Sequence, residues 1–204
     1  IALILLSFAA VSSPVPVALA APPTPESFLG FRVGADRKLA DYSQIVRYLE
    51  ALDQGSDRLT LQKLGKTTLG RDMVMAVISS AANLRDADRY RAIARRLADP
   101  RGLAPAEAEK LVADGKVILL VTCNIHSSEI GASQMSMEWA HTLATSDDPA
   151  VRRWLDDVIL LLMPSINPDG TDMIVDHYRK FLGTEWEGGR LPWLYHHYAG
   201  HDNN

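Results

Sequence analysis

Two continuous apolar runs, "VILLVT" at 117–122 and "VILLLM" at 158–163, constrain the fold of this chain more than any other feature. A strand with one face in water alternates apolar and polar residues. Runs that do not alternate suit strands covered on both faces, inside a sheet that carries helices on each side. Between them, Gly131 to Leu143 places Ala132, Met135, Trp139, Ala140 and Leu143 on one helical face. Strand, helix, strand in this order predicts a right-handed βαβ unit. The fold class expected is therefore α/β, with a mixed, largely parallel sheet and helices on both faces.

The segments before this unit fit the same scheme. Asp41 can cap a helix from Tyr42 to about Leu52, with Gln44 as the reciprocal partner of a capping box. Ile45, Val46, Leu49 and Leu52 form its core face. "RLTLQKLGKTTLGRDMVMAVISS" alternates, turns at Gly65–Gly70 and alternates again, which predicts a hairpin with strands near 58–64 and 72–79. A helix near 88–98 presents Tyr90, Ile93, Ala94 and Leu97 to the core, and Pro105 opens a short helix that Gly115 ends.

Composition excludes some functions. The net charge is −4 with no basic stripe, which argues against nucleic acid as a partner. The single cysteine, Cys123, rules out a disulfide within the chain, and its place at a buried strand end favours a small core residue. The apolar start, Ile1 to Val11, followed by small residues and prolines, reads as the later part of a secretory signal peptide. Cleavage is expected after Ala20, at Ala18-Leu19-Ala20. The stretch is short for a membrane span, so no stable membrane anchor is expected, and the location predicted is secreted or periplasmic. Residues 1–20 are thus expected to be a partial leader, 21–40 a Pro/Gly-rich linker packing on the domain, and 41–204 the domain itself, cut short at its C-terminal side.

Ligands of open α/β sheets bind outside the carboxyl ends of the strands. "NIHSSE" begins at the end of the first apolar run and "PSINPDG" at the end of the second. If the two strands are neighbours, both loops face one crevice. His126 offers an imidazole nitrogen and Glu129 a carboxylate oxygen, a pair that suits Zn²⁺. H-x-x-E is also common by chance. The alternative is a Glu in a first helical turn answering the helix dipole, with a His beside it.

"IHSSE", "NPDG" and "GHDNN", in this order and at compatible spacing, make the chain resemble the zinc metallocarboxypeptidases, the family of carboxypeptidase A, in a secreted bacterial form. The resemblance runs from about Leu39 to Asn204. It implies hydrolysis of C-terminal peptide bonds of peptide or protein substrates, with Zn²⁺ as cofactor. His126 and Glu129 match the first two zinc ligands. Asp202 matches the carboxylate that accepts a hydrogen bond from the first histidine and fixes its tautomer. Asn204 matches the asparagine that holds the substrate's terminal carboxylate. Arg179 is a candidate for the arginine that polarises the scissile carbonyl, and Arg190 a weaker one. "NPDG" looks more like a loop-shaping signature than a catalytic one.

Two departures from the family pattern matter. Ser128 stands where many members carry an arginine just before the zinc-binding Glu. The third zinc ligand and the general-base Glu lie downstream in the family and are not in this chain, so residues 1–204 alone are expected to be inactive. His196, His197 and His201 are weak substitutes in an aromatic segment. Two other functions share part of the pattern: a zinc N-acyl amino acid deacylase of the aspartoacylase kind, and a carboxypeptidase-like binding domain without catalysis.

Overall fold

The computed structural model describes residues 21–192. The expected leader over 1–20, and Asp202, Asn204, His196, His197 and His201, lie outside the described residues. The elements run α1 (Pro25–Leu29), α2 (Tyr42–Gly55), β1 (Leu59–Lys66), β2 (Asp72–Ile78), α3 (Ala81–Arg85), α4 (Ala87–Ala98), α5 (Pro105–Asp114), β3 (Val117–Thr122), α6 (Ile130–Thr145), α7 (Pro149–Asp157), β4 (Val158–Met163) and α8 (Pro168–Phe181). No helix among the described residues is long and apolar enough to cross a membrane.

The four strands form one mixed sheet in the order β1-β2-β4-β3. The two apolar runs are neighbours, as the site requires. They pair in parallel, from Val117 against Val158 to Thr122 against Met163. The other two pairings are antiparallel, so among the described residues the parallel character is confined to β3 and β4.

Side-chain alternation distributes β2 and β4 between two layers. Val74, Ala76, Ile78, Leu160 and Leu162 join the large core made with α2 and α6. Val77 and Ile159, with Met75 and Leu161 beside them, meet Tyr90 and Ile93 of α4 on the other face. The sheet therefore has helices on both faces, and β4 is covered as its sequence predicts. β3 departs from that expectation. Val117, Leu119 and Leu120 are exposed at 63%, 46% and 56%, because β3 ends the strand order and only Val121 packs against the main core.

The capping box of α2 forms as read: Asp41 Oδ1 accepts from the Gln44 amide (2.8 Å), and Gln44 Oε1 accepts from the Asp41 amide (3.0 Å). The core face expected for α6 holds at Ala132, Trp139, Ala140 and Leu143 and needs correction at Met135. Met135 is 44% exposed, whereas Ser133, Gln134, Ser136 and Met137 are buried. Small polar residues can face a core when their hydroxyls bond back along the helix. Ser133 Oγ donates to Ile130 O (3.0 Å), Ser136 Oγ to Ser133 O (2.6 Å), and Gln134 Oε1 accepts from the Ala40 amide (3.2 Å). The segment 21–40 packs on the domain through α1. Phe28 meets the edge of the Tyr48 ring at 5.3 Å, and the Tyr48 hydroxyl donates to Pro23 O (3.1 Å).

Candidate metal centre and adjoining cavity

Parallel pairing sets the carboxyl ends of β3 and β4 side by side, and the ladder continues past both strands. The Cys123 amide donates to Met163 O, and the Ile166 amide to Cys123 O, each at 3.0 Å. The two loops leave the sheet locked together. Cys123 is buried in the core, and burial pushes its thiol pKa up, which keeps it a neutral core residue.

Asn124 turns the first loop. Its φ of +58° is left-handed, a conformation that Asn tolerates better than most residues. Its buried amide ties the loops to each other. Nδ2 donates to His126 O (2.8 Å), while Oδ1 accepts from Thr171 Oγ1 (2.5 Å) and Ser165 Oγ (3.3 Å). From the opposite side, Asn167 Nδ2 donates to Ile125 O (3.2 Å). Sequence reading missed Asn124. The signal available was an Asn between a buried strand and the His, the residue type suited to a left-handed exit.

With the loop so held, His126 Nδ1 stands 3.3 Å from Glu129 Oε1. The Glu129 amide donates to His126 O (3.0 Å), closing the turn that puts both side chains on one side. Glu129 precedes the first residue of α6, and its side chain makes no capping hydrogen bond. The carboxylate is turned to the imidazole. Both groups reach solvent, with side chains 28% and 64% exposed. Between them Ser127 is fully buried, and its hydroxyl has no hydrogen-bond partner among the described residues.

The pair fits half of a zinc site. Donors bound at about 2.0–2.2 Å to one tetrahedral ion stand roughly 3.4 Å apart, close to the separation seen. Among the described residues no group of three or more His, Cys, Asp or Glu gathers to hold a metal. A zinc ion at this pair would need its third protein donor from outside the described residues.

"NPDG" shapes the loops. Asn167 Oδ1 caps α8 by accepting from the Gly170 amide (3.1 Å). Asp169 reaches across to the β1–β2 turn, where it accepts from Thr67 Oγ1 (2.8 Å), the Leu69 amide (3.1 Å) and Arg71 (2.8 Å). Arg71 also donates to Asp172 (2.6 Å). Burial works against its charge, but these two carboxylates outweigh burial and raise its pKa.

Arg179 is engaged at the start of α2. It donates to Asp41 Oδ2 (2.9 Å), Leu39 O (2.7 Å) and Gln44 Oε1 (2.9 Å). Arg190 instead lines a cavity of about 540 Å3 beside the His126–Glu129 loop. Ser127, Ser128 and Ile130 form one wall of it, and α8 with the loop after it the other.

The sequence profile described as zinc carboxypeptidase matches residues 45–188, more than half of the chain. No curated protein matches it. Among solved structures it is similar to a carboxypeptidase A from Helicoverpa armigera, at 18% identity, covering 72% of this chain and 31% of that one, with a TM-score of 0.45. It is similar also to a metallo-carboxypeptidase from Burkholderia cenocepacia, at 18% identity, covering 74% and 34%, with a TM-score of 0.44. A third is thrombin activatable fibrinolysis inhibitor, at 11% identity, covering 73% and 31%, with a TM-score of 0.49. The chain spans 26% to 34% of the length of five solved structures it matches. On the profile match over residues that include the His126–Glu129 loop, this chain belongs to the zinc carboxypeptidase family.

Proposed function

We propose that the protein containing this chain is an exported zinc carboxypeptidase that hydrolyses C-terminal peptide bonds, with His126 and Glu129 as two of its zinc ligands. The single observation that supports this most is the 3.3 Å approach of His126 Nδ1 to Glu129 Oε1 at the carboxyl end of β3, beside a cavity. Zinc held there supplies a Lewis acid for the scissile carbonyl and lowers the pKa of a bound water.

The chain's own residues prepare the place. Asn124 and Asn167 fix the loop backbone, so that the two donors converge before any metal arrives. In this reading Asp202 accepts a hydrogen bond from His126 and sets its tautomer, and Asn204 holds the substrate's terminal carboxylate. The third ligand and the proton-transferring Glu belong to the part of the protein beyond this chain. Arg179 is given a holding role at the start of α2 rather than one at the scissile carbonyl. The leader over 1–20 would export the protein, with cleavage after Ala20.

The test is His126→Ala in the full-length protein. Zinc content should fall from about one per chain to near zero and peptide hydrolysis should vanish, while the far-UV circular dichroism spectrum is kept. Stoichiometric zinc at unchanged affinity in that variant removes His126 from the site.

A further inference from the structure

The loop after α8 is built as a wall. Glu187 gathers four donors: Arg37 Nε (2.9 Å) and Nη2, the Tyr178 hydroxyl (3.2 Å) and the Gly183 amide (2.8 Å). That hub presents its neighbours to the cavity. Trp186, Leu191, Phe181, Ile174 and Ile130 make the lining largely apolar. Trp186 is 63% exposed, a large ring turned to water with the cavity before it. Among the described residues no Asp or Glu lines the cavity; His177 and Arg190 do, and Arg190 has no hydrogen bond or ion pair there. The opposite wall, Ser127 and Ser128, is the stretch of chain between the two metal-site residues.

An apolar cavity of this size accepts a large side chain, and a guanidinium without an internal carboxylate favours a negative group next to it. We infer that this cavity is a specificity subsite for a peptide segment in which a large apolar residue is followed by an acidic one. The apolar side chain enters beside Trp186 and Phe181, and the carboxylate lies against Arg190. Resting on the carboxypeptidase reading, this names the substrates that the same site prefers. Ser128 suits it: it adds no charge, so among the described residues the permanent charge of the lining is concentrated at Arg190.

The test uses the full-length protein stripped of zinc, and four N-acetylated hexapeptides. These carry Phe-Glu, Phe-Gln, Ala-Glu or Ala-Gln before the last residue, and binding is followed by calorimetry. Phe in place of Ala should tighten binding by about 10–100-fold. Glu in place of Gln should add roughly 2–5-fold at low salt, fading as salt is raised. Arg190→Gln should abolish the preference for Glu and keep that for Phe, and Trp186→Ala should reduce the preference for Phe. Both residues are exposed, so these variants keep the fold. Equal binding of the four peptides, or a Glu preference that survives Arg190→Gln, overturns the inference. Zinc-loaded protein separates the two readings. Peptides bound with these preferences yet never cleaved leave the subsite standing and remove the peptidase. Cleavage with no preference does the reverse.

Discussion

Asn124 does two things at once: it adopts a left-handed backbone and spends its amide on both loops of the site. Two substitutions separate them. Asn124→Gly accepts the backbone but leaves Thr171, Ser165 and the His126 carbonyl without their partner, for a loss of about 1–3 kcal/mol. Asn124→Ala adds the left-handed strain, about another 1–2 kcal/mol. Urea denaturation should rank wild type above Gly above Ala, and zinc affinity should fall on the order of 10–100-fold in both. An Ala variant as stable as the Gly variant would mean that the turn carries no strain. Ser127 offers the opposite case. Its hydroxyl is buried without a partner among the described residues, so Ser127→Ala should leave stability unchanged or raise it by up to ~1 kcal/mol. A marked loss in the same melt would show that the hydroxyl has a partner in solution. The approach of His126 to Glu129 was legible in the sequence because the two stand three apart in a loop that leaves a buried strand. Asn124 was not, because its importance lies in bonds to residues 41 and 47 positions away.

Elements divide in the same manner between local and distant causes. The start of α2 was legible because its capping box lies within four residues. Its second support, Arg179, comes from 138 residues along the chain and no spacing rule reaches it. Burial pushes the Asp41 carboxyl upward, but hydrogen bonds from Ser43, Arg179 and the Gln44 amide outweigh this and hold it below its ordinary value. The unfolded chain therefore binds the proton first as pH falls. Stability from this group is complete above the ordinary carboxylate range and is lost as pH drops through the lower, folded value. Asn caps a helix about as well as Asp, so Asp41→Asn should flatten this acid limb. Thermal melts between pH 6 and pH 3 check it: an identical acid slope in the variant would place the titration elsewhere. The face of α6 was read correctly at Ala132, Trp139, Ala140 and Leu143 but not at Met135, because a periodicity count treats serine as polar, whereas Ser133 and Ser136 satisfy themselves on their own helix.

At the scale of the whole molecule, the α/β class and the pairing of β3 with β4 follow from two hexapeptides, since runs without alternation have few other homes. What they could not give is the cover over β3. Val117, Leu119 and Leu120 form a bare apolar strand at the end of the sheet, a surface that invites pairing with another chain. Residues 21–204 produced alone should self-associate, as light scattering on a sizing column will show. Leu120→Lys should shift them toward monomer, and a wild-type segment that stays monomeric at high concentration would show that this edge is covered. The joint between α2 and α8 has a consequence in time. The Tyr42 amide waits for Asp172, 130 residues later, and Arg179 comes later still. At about 5–20 residues per second of synthesis, the first long helix stands unfinished on the ribosome for on the order of ten seconds. It is born early and completed late, so α6, made in between, packs on a helix still waiting for its last bonds.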